Sequence, residues 1–152
     1  MSTIVNILSL DNPVFKAYLF YSGVLVVKLM SMSLLTGRQR FRKKVFSNPE
    51  DAAADPKAKV KLDDPDVERV RRAHLNDLEN IPIYFVASFG YMLTNPEPAL
   101  AINLMRAFTA ARIAHTLVYA VVVVPQPSRA LAFMVGYGVT GFMAFKTLMA
   151  FW

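Results

Sequence analysis

Apolar and polar positions separate along this chain on the scale of whole segments. From Pro13 to Thr36 nearly every residue is apolar or small, and residues 38–79 carry most of the charge. From Ile81 onward the chain is apolar again, broken only at Asn95-Pro96-Glu97-Pro98 and Pro125-Gln126-Pro127. An apolar helix of about 20 residues crosses a bilayer. The pattern predicts spans at about 13–36, 76–94, 99–124 and 128–151, with a loop at about 37–72. The fold class that follows is all-α, an integral membrane four-helix bundle forming one domain over residues 1–152. The first span begins too polar, at Asp11-Asn12-Pro13, for a secretory signal and lacks a small-residue cleavage site, so it reads as a retained helix.

Local signals refine these boundaries. Gly37 opens the connecting segment. Asn48-Pro49-Glu50-Asp51 combines an N-cap residue, a proline at the first helical position and two acids at the positive helix end, which starts a short helix. Residues Ala52–Leu62 read as loop. Asp64-Pro65-Asp66 repeats the cap logic and starts a helix from about Pro65 to Thr94, longer than a span needs, with a kink expected at Pro82.

Composition agrees with this picture. Hydrophobic residues make up 55% of the chain and charged residues 18%. The net charge of +6 comes largely from eleven Lys and Arg between Arg38 and Arg72, while the Asn95–Pro98 turn has none. The positive-inside rule puts that loop and the Pro125–Arg129 turn in the cytoplasm. The basic residues therefore sit beside lipid, and nucleic acid is not the expected partner. There is no cysteine, hence no disulfide and no protein thiolate nucleophile. Two histidines without ligand spacing predict no metal site.

Several polar residues nevertheless fall inside the spans. Arg72, Asn76 and Glu79 share one helical face, as do Arg112, His115 and Tyr119. The expected topology brings both faces and Arg129 to one membrane depth. A buried arginine is costly, roughly 2.5–3.5 kcal/mol on insertion scales, so Arg112 needs a partner. Glu79 is the nearest candidate by depth, and a purely structural ion pair is the alternative reading. Lys28 either snorkels or turns inward to a partner. Arg106 has no evident partner. Arg129 lies in the first turn of its helix, where a cation opposes the dipole; an anionic ligand or exposure to water would relieve this. Together these residues predict an arginine-rich pocket for a polyanion, open to the cytoplasm and adjacent to lipid.

The segment Arg69-Val70-Arg71-Arg72-Ala73-His74-Leu75-Asn76-Asp77-Leu78-Glu79-Asn80 resembles the signature of the microsomal glutathione transferases of the MAPEG superfamily. Val45-Phe46-Ser47-Asn48-Pro49-Glu50-Asp51, Ala111-Arg112-Ile113-Ala114-His115-Thr116 and Pro125-Gln126-Pro127-Ser128-Arg129-Ala130-Leu131 match in order and spacing. The likeness is strongest to the type-one branch, in the pattern of an insect member, with the prostaglandin E synthases as near relatives. It implies a homotrimer in the endoplasmic-reticulum membrane, with the mitochondrial outer membrane as a second location. It also implies that glutathione binds between subunits near the cytoplasmic face. Arg40, Arg72, Asn76, Glu79, His115 and Tyr119 match glutathione-holding positions, and Arg112 a buried arginine beside them. Arg129 matches the arginine that stabilises the thiolate, and Asp51 an aspartate that assists it in the prostaglandin synthase.

The activity implied is conjugation of glutathione to a lipophilic electrophile, or reduction of a lipid hydroperoxide, taken from the bilayer. Isomerisation of a prostaglandin endoperoxide is the alternative. Leu75 and Ala130 stand where the prostaglandin synthase has arginine and serine, which favours the transferase. Ala52 replaces a stress-sensing cysteine of mammalian type-one enzymes, which implies no activation by thiol-alkylating reagents. A third reading, a non-enzymatic lipid-binding scaffold, has the intact polar faces against it.

Overall fold

The computed structural model describes residues 4–152. Its elements are all helical apart from one two-residue strand pair: α1 (Ile4–Ile7), α2 (Pro13–Lys43), β1 (Val45–Phe46), α3 (Pro49–Ala52), β2 (Lys59–Val60), α4 (Pro65–Leu93), α5 (Pro98–Thr116) and α6 (Ser128–Phe151). A π-helical turn, Leu117–Val121, continues α5. The four long helices form one bundle in which α2 and α6 each pack against both α4 and α5.

Local chemistry sets the ends of these helices. Asn12 Oδ1 accepts from the amides of Val14 and Phe15 at the start of α2, and Asp64 Oδ1 does the same for Asp66 and Val67 at α4. At α5 the Glu97 carboxylate accepts from Ala99 N at 2.8 Å and Leu100 N at 2.6 Å. These backbone bonds hold the Glu97 carboxyl below its usual value. The Pro65–Leu93 helix agrees with the expected one and runs through Pro82 without interruption.

Three expectations change. Helix α2 does not stop at Gly37 but continues through the basic segment to Lys43, closed by Lys44 at φ 55°. Arginine, glutamine and lysine are good helix formers, and the cations of the last turn suit the negative helix end, so a single glycine does not end it. The Ala52–Leu62 segment is not wholly loop. Lys59 N donates to Lys44 O and Lys61 N to Phe46 O, which makes β2 a parallel partner of β1 and ties the loop back to the end of α2. The expected span 99–124 is α-helical only to Thr116. The chain then widens to i→i+5 pairing, as in Val122 N to Leu117 O at 2.8 Å, ahead of the Pro125-Gln126-Pro127 breaker.

Asn48 precedes α3 as expected, but its side chain donates to Asp51 Oδ2 at 3.1 Å rather than capping the backbone.

The bundle is apolar outside and partly polar inside. Phe20, Val27, Leu34, Val86, Met134, Leu148 and other large apolar side chains face outward. Asp77, Ser88, Thr109, Arg112, His115 and Thr116 are buried. Such an arrangement suits lipid as the surrounding solvent. Helices Pro13–Lys43 and Ser128–Phe151 are long and apolar enough to cross a membrane.

Burial from water is a weak force between helices in lipid, so close packing does more of the work. Tyr84 and Phe108 stack at 3.7 Å and 5° between α4 and α5. Gly90 lets α4 approach α6 until an added Cβ would lie 2.9 Å from Thr147 Cγ2.

Candidate functional site

The charged end of the bundle holds a cleft of about 290 Å³ lined by Arg72, Asn76, His115, Tyr119, Arg129, Ala130 and Phe133. Five of the residues singled out in the sequence therefore meet in one place. Tyr119 organises them, and the π-helical turn carries it. Its hydroxyl accepts from Arg72 Nε at 3.4 Å, its ring meets His115 edge-on at 5.6 Å, and the Arg129 guanidinium lies 4.3 Å above its face. With its carboxamide oxygen turned to the guanidinium, Gln126 accepts from Arg129 Nη2 at 2.7 Å and Nε at 3.3 Å. Both partners of Arg129 are neutral. Among the described residues, no carboxylate forms an ion pair with Arg129 or Arg72.

Behind the cleft the cations are treated differently. Arg112 is 1% exposed and donates to Asp77 Oδ1 from Nε at 3.1 Å and from Nη2 at 2.5 Å. The same Nη2 reaches Asn76 Oδ1 at 2.8 Å, which links this interior cluster to the cleft wall. Lys28 Nζ pairs with the other carboxylate oxygen, Asp77 Oδ2.

The expected Arg112–Glu79 pair is thus replaced by Arg112–Asp77, and Glu79 faces outward. The signal lay in the phase of α4. Its buried positions run Val67, Val70, Ala73, Asp77, Ile81, Tyr84, Ser88, with Asp77 in step and Glu79 out of it. Of the two readings of Lys28, the inward-facing one holds. Arg106 also has partners, Tyr21 Oη at 3.2 Å and Asn103 Oδ1 at 3.1 Å.

Arg40 and Asp51 do not join this cleft within one chain. They line a separate hollow of about 450 Å³ with Gly37, Phe41, Phe46, Glu50 and Ala54. Gln126, Ala130 and Phe133 were not singled out in the sequence as site residues. Gln126 and Ala130 lie in the matched segment around Arg129, and Phe133 follows Arg129 by one turn of α6.

The cleft is chemically an anion receptor. Arg72 and Arg129 bring uncompensated guanidinium charge, suited to carboxylates and to an ionised thiol. His115 lines the cleft and is 3% exposed, and its Nδ1 is buried with no hydrogen-bond partner among the described residues. The volume sits at the low edge of the roughly 300–1,000 Å³ usual for ligand pockets.

Comparison with known proteins follows the same line. A family model described as MAPEG family matches residues 18–149. The chain is 47% identical over 144 residues to human microsomal glutathione S-transferase 1, covering 91% of this chain and 92% of that one. To the rat protein of that name it is 46% identical over 143 residues, with the same coverage. Human prostaglandin E synthase is 39% identical over 112 residues, 74% of each chain. With all but the ends of the chain matched and its polar residues gathered at one end of a four-helix membrane bundle, the chain belongs to the MAPEG family.

Proposed function

We propose that this protein is a membrane-bound glutathione transferase that ionises the glutathione thiol for attack on lipophilic electrophiles and also reduces lipid hydroperoxides with it. The observation that carries the reading is Arg129, a half-buried arginine in the cleft that, among the described residues, is held by the Tyr119 ring and the Gln126 amide and by no carboxylate. A free thiol with a pKa near ~8.5 is largely protonated at neutral pH, and an adjacent uncompensated cation lowers that value. Arg72 and Asn76, which line the cleft, would hold the ligand's carboxylates and amides. Bound glutathione supplies the nucleophilic sulfur, and the protein supplies orientation and positive charge.

Glu79, Arg40 and Asp51 enter this site through a neighbouring copy. The cleft of one chain is small, Glu79 faces outward, and Arg40 and Asp51 line a hollow of their own. A homotrimer that sets the Arg40–Asp51 hollow of one subunit against the Arg129 cleft of the next would complete one site per interface. The cleft then faces the cytoplasm from the endoplasmic-reticulum membrane, with the mitochondrial outer membrane as a second location. Apolar substrate would enter from the bilayer.

Isomerisation of a prostaglandin endoperoxide is the second reading, supported by the similarity to prostaglandin E synthase. Leu75 and Ala130 weigh against it. The test assays purified protein side by side for conjugation, hydroperoxide reduction and endoperoxide isomerisation, each with glutathione. Conjugation with peroxide reduction supports the proposal, and isomerisation alone replaces it. The composite site predicts that Arg129→Ala and Arg40→Ala chains, each impaired alone, regain part of their activity when co-assembled. No recovery would place each site within one chain.

A further inference from the structure

Asp77 is fully buried between two cations, Lys28 and Arg112, whose side chains are 8% and 1% exposed. One carboxylate thus faces two basic side chains, an excess of one cationic group inside the bundle. Arg112 alone would neutralise Asp77, through Nε and Nη2 on a single oxygen. Lys28 is surplus to that balance. A surplus buried cation is expensive in an apolar surrounding, so charge neutralisation does not account for it.

Its geometry suggests a use. By occupying Oδ2, Lys28 keeps Oδ1 toward Arg112, and Arg112 Nη2 then holds Asn76 Oδ1 on the wall of the cleft. No other carboxylate among the described residues pairs with the cluster. The uncompensated charge therefore lies behind the floor of an anion-binding cleft.

We propose that Lys28 is a positioning residue for glutathione. It orients Asp77, Arg112 and Asn76 as a chain and keeps the cluster one charge positive, so that the anionic ligand completes the balance. This rests on the glutathione reading above, and the test separates the two.

The experiment measures glutathione affinity and the pKa of the bound thiol, by ultraviolet absorbance of the thiolate, in the full-length protein in detergent. Wild type, Lys28→Met, Lys28→Gln, Lys28→Arg and Arg129→Ala are compared. Lys28→Met should fold and assemble at least as stably as wild type, because the Asp77–Arg112 pair remains balanced. Its glutathione affinity should fall about tenfold and its bound-thiol pKa rise by about one unit, the scale expected for removing one charge from a low-dielectric neighbourhood. Lys28→Gln keeps a donor to Asp77 without the charge and should recover part of the affinity but not the thiol pKa. Lys28→Arg should recover both.

Unchanged affinity and thiol pKa in Lys28→Met would overturn the proposal. So would a Lys28→Met protein that loses the bundle, since Lys28 would then be required for folding. Wild type that binds no glutathione, or Arg129→Ala that ionises the thiol normally, would sink the glutathione reading itself.

Discussion

Two arginines near the His115–Tyr119 pair have opposite surroundings. Arg112 is enclosed, with a carboxylate on two of its nitrogens and an amide on one of these. Arg129 is half-buried, with a ring face and a carboxamide as partners and no ion pair. Inside a membrane bundle a neutralised arginine works as a structural clamp. An arginine left uncompensated at a cleft keeps its charge for a ligand. Sequence spacing alone does not separate the two cases, because both residues are arginines near the ends of apolar helices. The separation comes from which carboxylates can reach them.

The largest effect should come from breaking the clamp. Asp77→Asn leaves Arg112 and Lys28 buried with no counter-charge, a loss of about 3–5 kcal/mol for breaking a buried pair. Thermal unfolding in detergent should show little or no folded protein. A variant with wild-type stability would show that the cluster is reached by water.

Arg129→Ala should do the reverse. It should leave the melting temperature within a degree or two while lowering turnover with glutathione by roughly 10²-fold or more, the scale seen when an electrostatic stabiliser is removed. Parallel loss of stability and activity would make Arg129 a second clamp.

Tyr119 tests what holds Arg129 in place. Tyr119→Phe keeps the ring face and loses only the weak 3.4 Å bond from Arg72, so glutathione affinity should change less than about threefold. Tyr119→Ala also loses the cation–π contact, worth about 0.5–2 kcal/mol, and should weaken affinity about three- to thirtyfold. Equal effects of the two variants would assign the role to the hydroxyl.

The smallest effect concerns the exposed loop pairs. A hydrogen bond from Lys43 holds the Asp66 carboxyl below its ordinary value of 3.8, and a hydrogen bond from Lys44 does the same for Asp55. A lowered folded-state pKa means stabilisation that is present above the unfolded value and lost as pH falls through the folded one. Asp66→Asn should therefore lower loop stability slightly near neutral pH and make no difference once the wild-type carboxyl is protonated. Amide exchange across Lys59–Val60 at several pH values would check this, and a difference that grows in acid would reverse the sign.

Much of the bundle was legible because the signals were local or periodic. Asp64 and Pro65 marked the start of α4, and Asn95 to Pro98 marked the turn before α5. The meeting of Arg72, Asn76, His115, Tyr119 and Arg129 also followed from helical spacing plus topology. Membrane depth points to Glu79 as the partner of Arg112, whereas the phase of the buried stripe on α4 points to Asp77. The helical continuation past Gly37 rests on the helix-forming run over residues 38–43, which outweighs the single glycine. The β1–β2 pairing joins residues about fourteen apart through backbone bonds, which side-chain pattern does not encode. The separation of Asp51 from the Arg129 cleft lay beyond any reading of spacing, since it depends on how the segment between α2 and α4 folds back on the bundle.

The central claim is that the uncompensated Arg129 ionises the thiol of bound glutathione. Titrating thiolate absorbance of the glutathione complex against pH, in wild type and Arg129→Ala, measures this directly. The account predicts a bound-thiol pKa well below the ~8.5 of a free thiol in wild type and a return toward that value in the variant. A thiol pKa that is the same in both proteins would contradict it.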